Sequence, residues 1–408
     1  MEICIIGAGI SGLAAGRFLS KNHNVTIYEK ESEIGGIART KDVNGTAYHM
    51  VGGHCLNSKN KTVMDFIFNN VLSKDKWHHV KREAKINLCN NFISYPIEYS
   101  VKEIAKFDEN LAFNITKDFM SSKDRKVDNL ADWFEEKFGK TLAREYFIPY
   151  NKKIWQMDPS QMSHSWIEGK LPLPNKEEFF KALIEENKDT MPHSTFFYPN
   201  TNNQNTFIEA LGRGLRIINE FTVKDINKIK DKWVINKEYE YDIVINTMPL
   251  NILPTVIKNT PSNILKDAKK LKYNKLTNVL WKTKPINFTW SYYPSSETIF
   301  HRHIHIGNFF SPKKNYTITE SIGEHSFEEM VNHGRKFDYL LEPLDYNVSD
   351  YAYVVYDQNY SKATRNIKKY LDRIGMHTIG RFGEWEYYNM DICIESAMKL
   401  AKKIENGS

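Results

Sequence analysis

A chain of 408 residues is too long for one compact core, and its 41% hydrophobic content is that of a globular protein of two or three domains. The net charge of +6 comes from 56 basic and 50 acidic residues spread throughout, with no basic tail or stripe to argue for nucleic acid. Cysteines at 4, 55, 89 and 393 form no C-x-x-C, so reduced thiols are expected rather than a disulfide framework or a metal site. The most apolar later stretch, Ile243 to Ile257, is broken by Asn246, Pro249, Asn251 and Pro254, so no membrane span is expected. With a strand starting at residue 2 there is no room for a signal peptide, and the expected location is the cytoplasm.

Met1 to Ile6 (MEICII) reads as a buried parallel strand, and Ser11 to Leu19 as the helix it feeds, with glycines at the joint in the spacing Gly7-x-Gly9-x-x-Gly12-x-x-x-Gly16. This is a dinucleotide cradle. Gly7 permits the tight turn, Gly9 lets the backbone approach a pyrophosphate, and Gly12 and Gly16 let helix and sheet close up while the first helical amides face the phosphates. Val25 to Tyr28 is the second strand, and Glu29 at its end can accept both ribose hydroxyls, which disfavours a 2′-phosphate.

Further along, residues 45–58 form a Gly- and His-bearing loop, and strands resume over 84–99. Residues 100–190 are expected to be mostly helical, as in Leu130 to Gly139, where apolar spacing ends in a glycine stop. A helix is expected over 205–218, then strands at Trp233 to Ile235 and Tyr241 to Asn246. From about 275 to 320, alternating segments such as Asn278 to Lys282 and His301 to Ile306 predict an antiparallel sheet that makes a substrate wall. Thr378 to Gly383 ends a strand in a turn, and Asp391 to Ile404 has helical spacing.

Glu29-Lys30 followed by Gly35-Gly36 and Arg39-Thr40 resembles the continuation seen in FAD-dependent proteins of the glutathione-reductase and amine-oxidase kind, which implies FAD, with NAD or an emptied site as the alternatives. Gly380-Arg381-Phe382-Gly383-Glu384-Trp385-Glu386-Tyr387-Tyr388-Asn389-Met390-Asp391 then resembles the C-terminal signature of the UDP-galactopyranose mutases. Three other segments agree with that family in order. Val51-Gly52-Gly53-His54-Cys55-Leu56 resembles its flavin-side loop, Lys153-Ile154-Trp155-Gln156-Met157-Asp158-Pro159 its Lys-Gln-Trp-Gly-x-Asp-Pro, and Ile299-Phe300-His301-Arg302-His303-Ile304 its Tyr-Thr-Arg segment.

The resemblance implies an isomerase of nucleotide sugars with an α/β, Rossmann-like FAD-binding fold, a helical insertion and an antiparallel substrate-side sheet. In that family reduced FAD attacks the anomeric carbon through N5, the nucleoside diphosphate leaves, and the sugar recloses as the furanose through an iminium, for cell-surface polysaccharide synthesis. The expected partition is 1–99, 191–272 and 361–408 for FAD, 100–190 for the insertion with its mobile lid, and 273–360 for the sheet. NADPH or NADH is the expected reductant. The expected partners are a nucleotide-diphosphate sugar and, with the oligomeric state open, a second copy in a homodimer.

By the same resemblance His54, Arg302 and Arg381 are the catalytic residues, the first supporting the flavin near N5 and the two arginines serving the diphosphate. Trp155, Lys170, Tyr353, Tyr387 and Asn389 are the expected substrate contacts, with a core role as the alternative for Trp155. Gly7, Gly9, Gly12, Glu29, Lys30, Gly36, Arg39, Gly53, Gly380 and Met390 are the expected cofactor contacts. The chain also departs from the family. Lys170-Leu171-Pro172-Leu173-Pro174 replaces an arginine-bearing lid, Asn57 replaces a second loop histidine, and Asn389 stands where many members carry aspartate. Such changes imply a divergent mutase acting on another nucleotide sugar. The competing function is a true oxidoreductase of the amine-oxidase or protoporphyrinogen-oxidase kind.

Overall fold

The computed structural model describes residues 1–122, 126–167, 171, 173–184 and 194–407. A five-stranded parallel sheet runs in the order His377–Thr378, Ile243–Asn246, Glu2–Ile6, Asn24–Tyr28, Arg216–Ile218. Its middle strand pairs Ile3 with Val25 on one side and with Ile243 on the other, and its apolar run is buried on both faces, as a central parallel strand requires. Helices Ile10–Leu19 and Met390–Glu405 cover one face through a core that includes Leu13, Ala14, Ala397 and Leu400. Burying each large aliphatic side chain there contributes about 1.5–3 kcal/mol.

The helix expected over 205–218 stops at Gly212. Gly214, at φ +77°, turns the chain, and Arg216–Ile218 becomes the edge strand beside Thr26–Tyr28. Hydrophobic periodicity alone could not separate a helix end from a three-residue buried strand.

A second sheet of seven strands stands beside the first, in the order Leu340–Val355, Lys272–Thr283, Tyr316–Ile322, Arg302–Ile304, Trp290–Tyr292, Ala84–Leu88, Asn91–Ser94. It differs from the expected antiparallel sheet in two ways. Strands from 84–94, expected with the nucleotide-binding part, extend it, and Trp290–Tyr292 pairs with Ala84–Ile86 in parallel. Edge pairing between segments some 200 residues apart is a tertiary outcome that local pattern does not encode.

The helical insertion packs around an aromatic core in which Phe138 and Phe147 stack at 4.0 Å, as do Phe119 and Phe179. Asp108 and Asn129 cap two of its helices by accepting from the Leu111 and Asp132 amides. Lys153, on helix Ile148–Trp155, donates to the carbonyls of Tyr293, Ser295, Thr298 and Phe300. One ammonium therefore ties the insertion to the loop that leads into the Arg302 strand. No helix among the described residues is long and apolar enough to cross a membrane.

Candidate functional site

A cleft of about 760 Å³ opens between the two sheets, and it is lined from both ends of the chain. Its first wall is the glycine loop. A Cβ on Gly9 would meet nothing within 4 Å, whereas one on Gly12 would sit 1.9 Å from the Gly7 carbonyl. Gly9 therefore borders open space and Gly12 holds the turn closed. Gly12 is not among the residues that line the cleft and packs against the Gly7 backbone. Gly36 lies over Gly9, and the Gly35 amide donates to the Ala8 carbonyl at 2.8 Å, so the second glycine pair is zipped to the first.

Glu29 is buried, with one carboxylate oxygen accepting from the Ala8 amide at 2.7 Å and the other from the Glu31 amide at 3.0 Å. Each oxygen keeps a lone pair for a ribose hydroxyl. Arg39 leaves its buried Nε without a hydrogen-bond partner on the same wall, while Lys30 is largely exposed and pairs with Glu31 at 3.3 Å. At the far side Gly380, at φ +86°, seats against Ser11 of the first helix, and Met390 accepts through its sulfur from Gln204. The residues present fit an adenine dinucleotide.

The second wall joins the 51–55 loop to both arginines. Arg302 is half-buried, and its Nε donates to the fully buried Glu320 while an Nη donates to the Tyr353 hydroxyl at 2.9 Å. The other Glu320 oxygen accepts from the Gly52 amide at 2.8 Å, so this carboxylate fixes arginine and loop together. Burial works against the Arg302 charge, but Glu320, with Tyr353 and Tyr387, raises its pKa well above the usual value. Glu320 thus sits as a direct partner to the Arg302 guanidinium.

Arg381 differs. Its guanidinium lies 4.6 Å from the Tyr387 ring centre and 5.2 Å from that of Tyr353, and donates to the Ala352 carbonyl at 2.6 Å. It has no carboxylate partner among the described residues, and its buried Nε is unspent. Tyr353 and Tyr387 stack at 5.8 Å beneath it. His54 faces this cation: burial and then Arg381 push its pKa down to about 4, and only the Val51 and Ile37 carbonyls oppose the shift. Its imidazole is neutral at pH 7. The His54 amide donates to Nδ1 of the buried His49, whose Nε2 faces the Tyr198 hydroxyl at 2.7 Å, so His49 is the neutral Nε2–H tautomer.

Gly53 and Asn389 line the same cleft, Asn389 as the residue preceding the C-terminal helix, with no capping bond from its side chain. Two expected substrate contacts are not brought in. Trp155 is buried behind Tyr353, its indole N–H donating to Asn151 at 2.9 Å and its ring edge-on to Trp166, Tyr353 and Tyr356. It is part of the large apolar core and is not among the residues that line the cleft. Lys170 lies outside the described residues, as does Pro172 of the same segment. Two residues that local pattern did not single out are Glu320, which neutralises Arg302, and Arg82, which enters the cleft beside Trp290 and Tyr292. Glu320 lies on strand Tyr316–Ile322 and Arg82 in the short link between two strands, and neither stretch carries a motif.

Residues 5–68 match the model of the NAD(P)-binding Rossmann-like domain. A UDP-galactopyranose mutase of Mycoplasma genitalium is 27% identical over 199 residues, 45% of this chain and 47% of that protein. A dTDP-fucopyranose mutase of Escherichia coli is also 27% identical, over 180 residues, 42% of this chain and 46% of that protein. The matched region thus spans about half the length of these curated relatives. In fold, the chain superposes over its full length on the crystal structure of a reduced UDP-galactopyranose mutase, at TM-score 0.88 and 20% identity over 94% of that chain. A putative protoporphyrinogen oxidase from Exiguobacterium follows at TM-score 0.78 and 16% identity, covering 100% of this chain and 99% of that one.

Proposed function

We propose that this chain, whose matches support a divergent member of the pyranose mutase family, is an FAD-dependent isomerase interconverting pyranose and furanose forms of a nucleotide-diphosphate sugar. The observation that carries the proposal is Arg381. A guanidinium without a carboxylate partner, stacked on two tyrosines in a cleft shared with a dinucleotide cradle, is a receptor for a second phosphate-bearing ligand.

Gly9, Glu29, Gly36 and Arg39 hold the dinucleotide, and the 51–55 loop borders its ring. Nucleophilic chemistry toward the anomeric carbon comes from the bound, reduced flavin, kept reduced by NADH or NADPH. The chain's own residues do the rest. Arg381 binds the diphosphate oxygens and stabilises the charge that develops as the nucleoside diphosphate departs. Arg302, compensated by Glu320, orients the Tyr353 hydroxyl toward the same oxygens without adding net charge. Neutral His54 offers a hydrogen bond beside the ring and no competing cation. The Tyr353–Tyr387 stack shields the reacting sugar from water.

The test is to incubate dithionite-reduced, FAD-loaded protein anaerobically with UDP-galactopyranose and dTDP-fucopyranose and resolve the products chromatographically. Furanose formation that needs reduced flavin, without a stoichiometric oxidant, is the expected result. Absence of furanose, with an organic substrate reducing the flavin on every turnover, would establish the oxidoreductase reading instead.

A further inference from the structure

Of the four guanidiniums lining the cleft, Arg39 faces the Glu31 and Glu33 carboxylates, Arg302 is neutralised by Glu320, and Arg381 is assigned above to the diphosphate. Arg82 remains. It sits between strands Trp77–Lys81 and Ala84–Leu88, with its amide anchored on the Ser194 carbonyl at 2.8 Å. Its guanidinium carbon lies 5.0 Å from the Trp290 ring centre and 5.9 Å from that of Tyr95, and one Nη donates to the Tyr292 hydroxyl at 3.1 Å.

No carboxylate among the described residues pairs with Arg82, and its buried Nε has no hydrogen-bond partner. Glu98, which acts on the same Tyr95, offers no counter-charge, because burial pushes its carboxyl up to about 8 and keeps it protonated at neutral pH. Burial of Arg82 works against its charge, yet a guanidinium stays protonated at neutral pH, so the cation persists. A cation held among aromatic rings without an anion is costly unless a ligand supplies one.

Resting on the nucleotide-sugar reading above, we infer that Arg82 is a specificity residue for the sugar, and that the sugar carries a carboxylate. Arg82 belongs to a different wall from Arg381, lining the cleft with Cys55, Asn57 and the aromatic strand Trp290–Tyr292, and the inference seats the sugar on this wall. Trp290 and Tyr292 offer the flat faces that sugars pack on, and the unspent Nε donor suits a planar carboxylate. A uronic acid meets both demands.

The experiment is calorimetric titration of the FAD-loaded protein with UDP, UDP-galactose and UDP-galacturonate, repeated with dTDP, dTDP-glucose and dTDP-glucuronate. Wild type should bind the uronate at least ~10-fold more tightly than its neutral partner in one of the two series. Arg82→Gln should reduce that ratio to about 1 while leaving the neutral sugar within ~3-fold. Tyr292→Phe, which keeps the cation, should retain the preference, so the test survives if Arg82→Gln fails to fold. Equal or weaker uronate binding by wild type, with UDP or dTDP still bound, overturns this inference and leaves the mutase reading standing. A preference that persists in Arg82→Gln, or an altered flavin spectrum in place of altered sugar preference, also overturns it. If no nucleotide binds at all, both readings fail together.

Discussion

At the residue scale, the difference between Arg302 and Arg381 is one of charge compensation. Glu320 is fully buried while Arg302 keeps an edge on the cleft, so Glu320→Gln leaves a half-buried cation unpaired; a loss of about 1–3 kcal/mol in urea unfolding is expected, below the penalty for a fully buried pair. Arg381 carries no such debt to the fold. Arg381→Ala should therefore leave the protein yellow and folded while lowering kcat/KM by ~100-fold or more, as loss of a donor aimed at developing charge does. Arg381→Lys keeps the charge but not the fork, so UDP binding should stay well below wild type. Near-normal turnover in Arg381→Ala would remove the residue from the diphosphate site.

At the scale of elements, the turn from the first strand into the first helix separates two jobs that the glycine motif merges. A methyl group on Gly9 enters open space, while one on Gly12 collides with the Gly7 backbone. Gly9→Ala should give a protein with normal thermal stability and little bound flavin, and Gly12→Ala one that is itself destabilised; equal melting temperatures for the two would contradict this division. Lys153 works between elements. Burial pushes its pKa down to about 8, yet it remains charged at neutral pH and is satisfied by four carbonyls of the 293–300 loop. Helix and sheet also meet here through Tyr150 against Tyr292 and Trp155 against Tyr353, and the ammonium adds a polar tie to that aromatic contact.

Across the whole molecule, acid is the predicted weakness. His49, His301 and His303 lie well below the ordinary histidine value, His54 near 4 and His305 near 3, each chiefly through burial. With folded values depressed, the unfolded chain takes up protons first as the pH falls below 6.5. Stability is therefore complete above that pH and declines between about 6.5 and 4, by up to ~1.4 kcal/mol per pH unit for each histidine that stays neutral. Thermal melts from pH 7.5 to 4.5 should show a steep fall in Tm, shallower in a His303→Gln, His305→Gln variant. A flat profile over that range would mean that the imidazoles are not held neutral.

What the sequence determined by itself was the cradle and the order of the elements. Gly7, Gly9, Gly12 and Glu29 act over a short stretch in which turn, helix start and strand end are set by neighbours, and Arg381, Tyr387 and Asn389 travel together on one turn. Local chemistry is legible at that range. The strand at 216–218 escaped because three apolar residues after a helix carry no period of their own. Tertiary structure alone decided that Glu320 cancels Arg302, that Trp155 turns inward, that strands 84–94 extend the distant sheet, and that Arg82 arrives at the cleft without a counter-ion. The sheet extension joins strands about 200 residues apart, and the others depend on contacts between separate elements, where partner and register follow from packing the whole rather than from any segment's pattern.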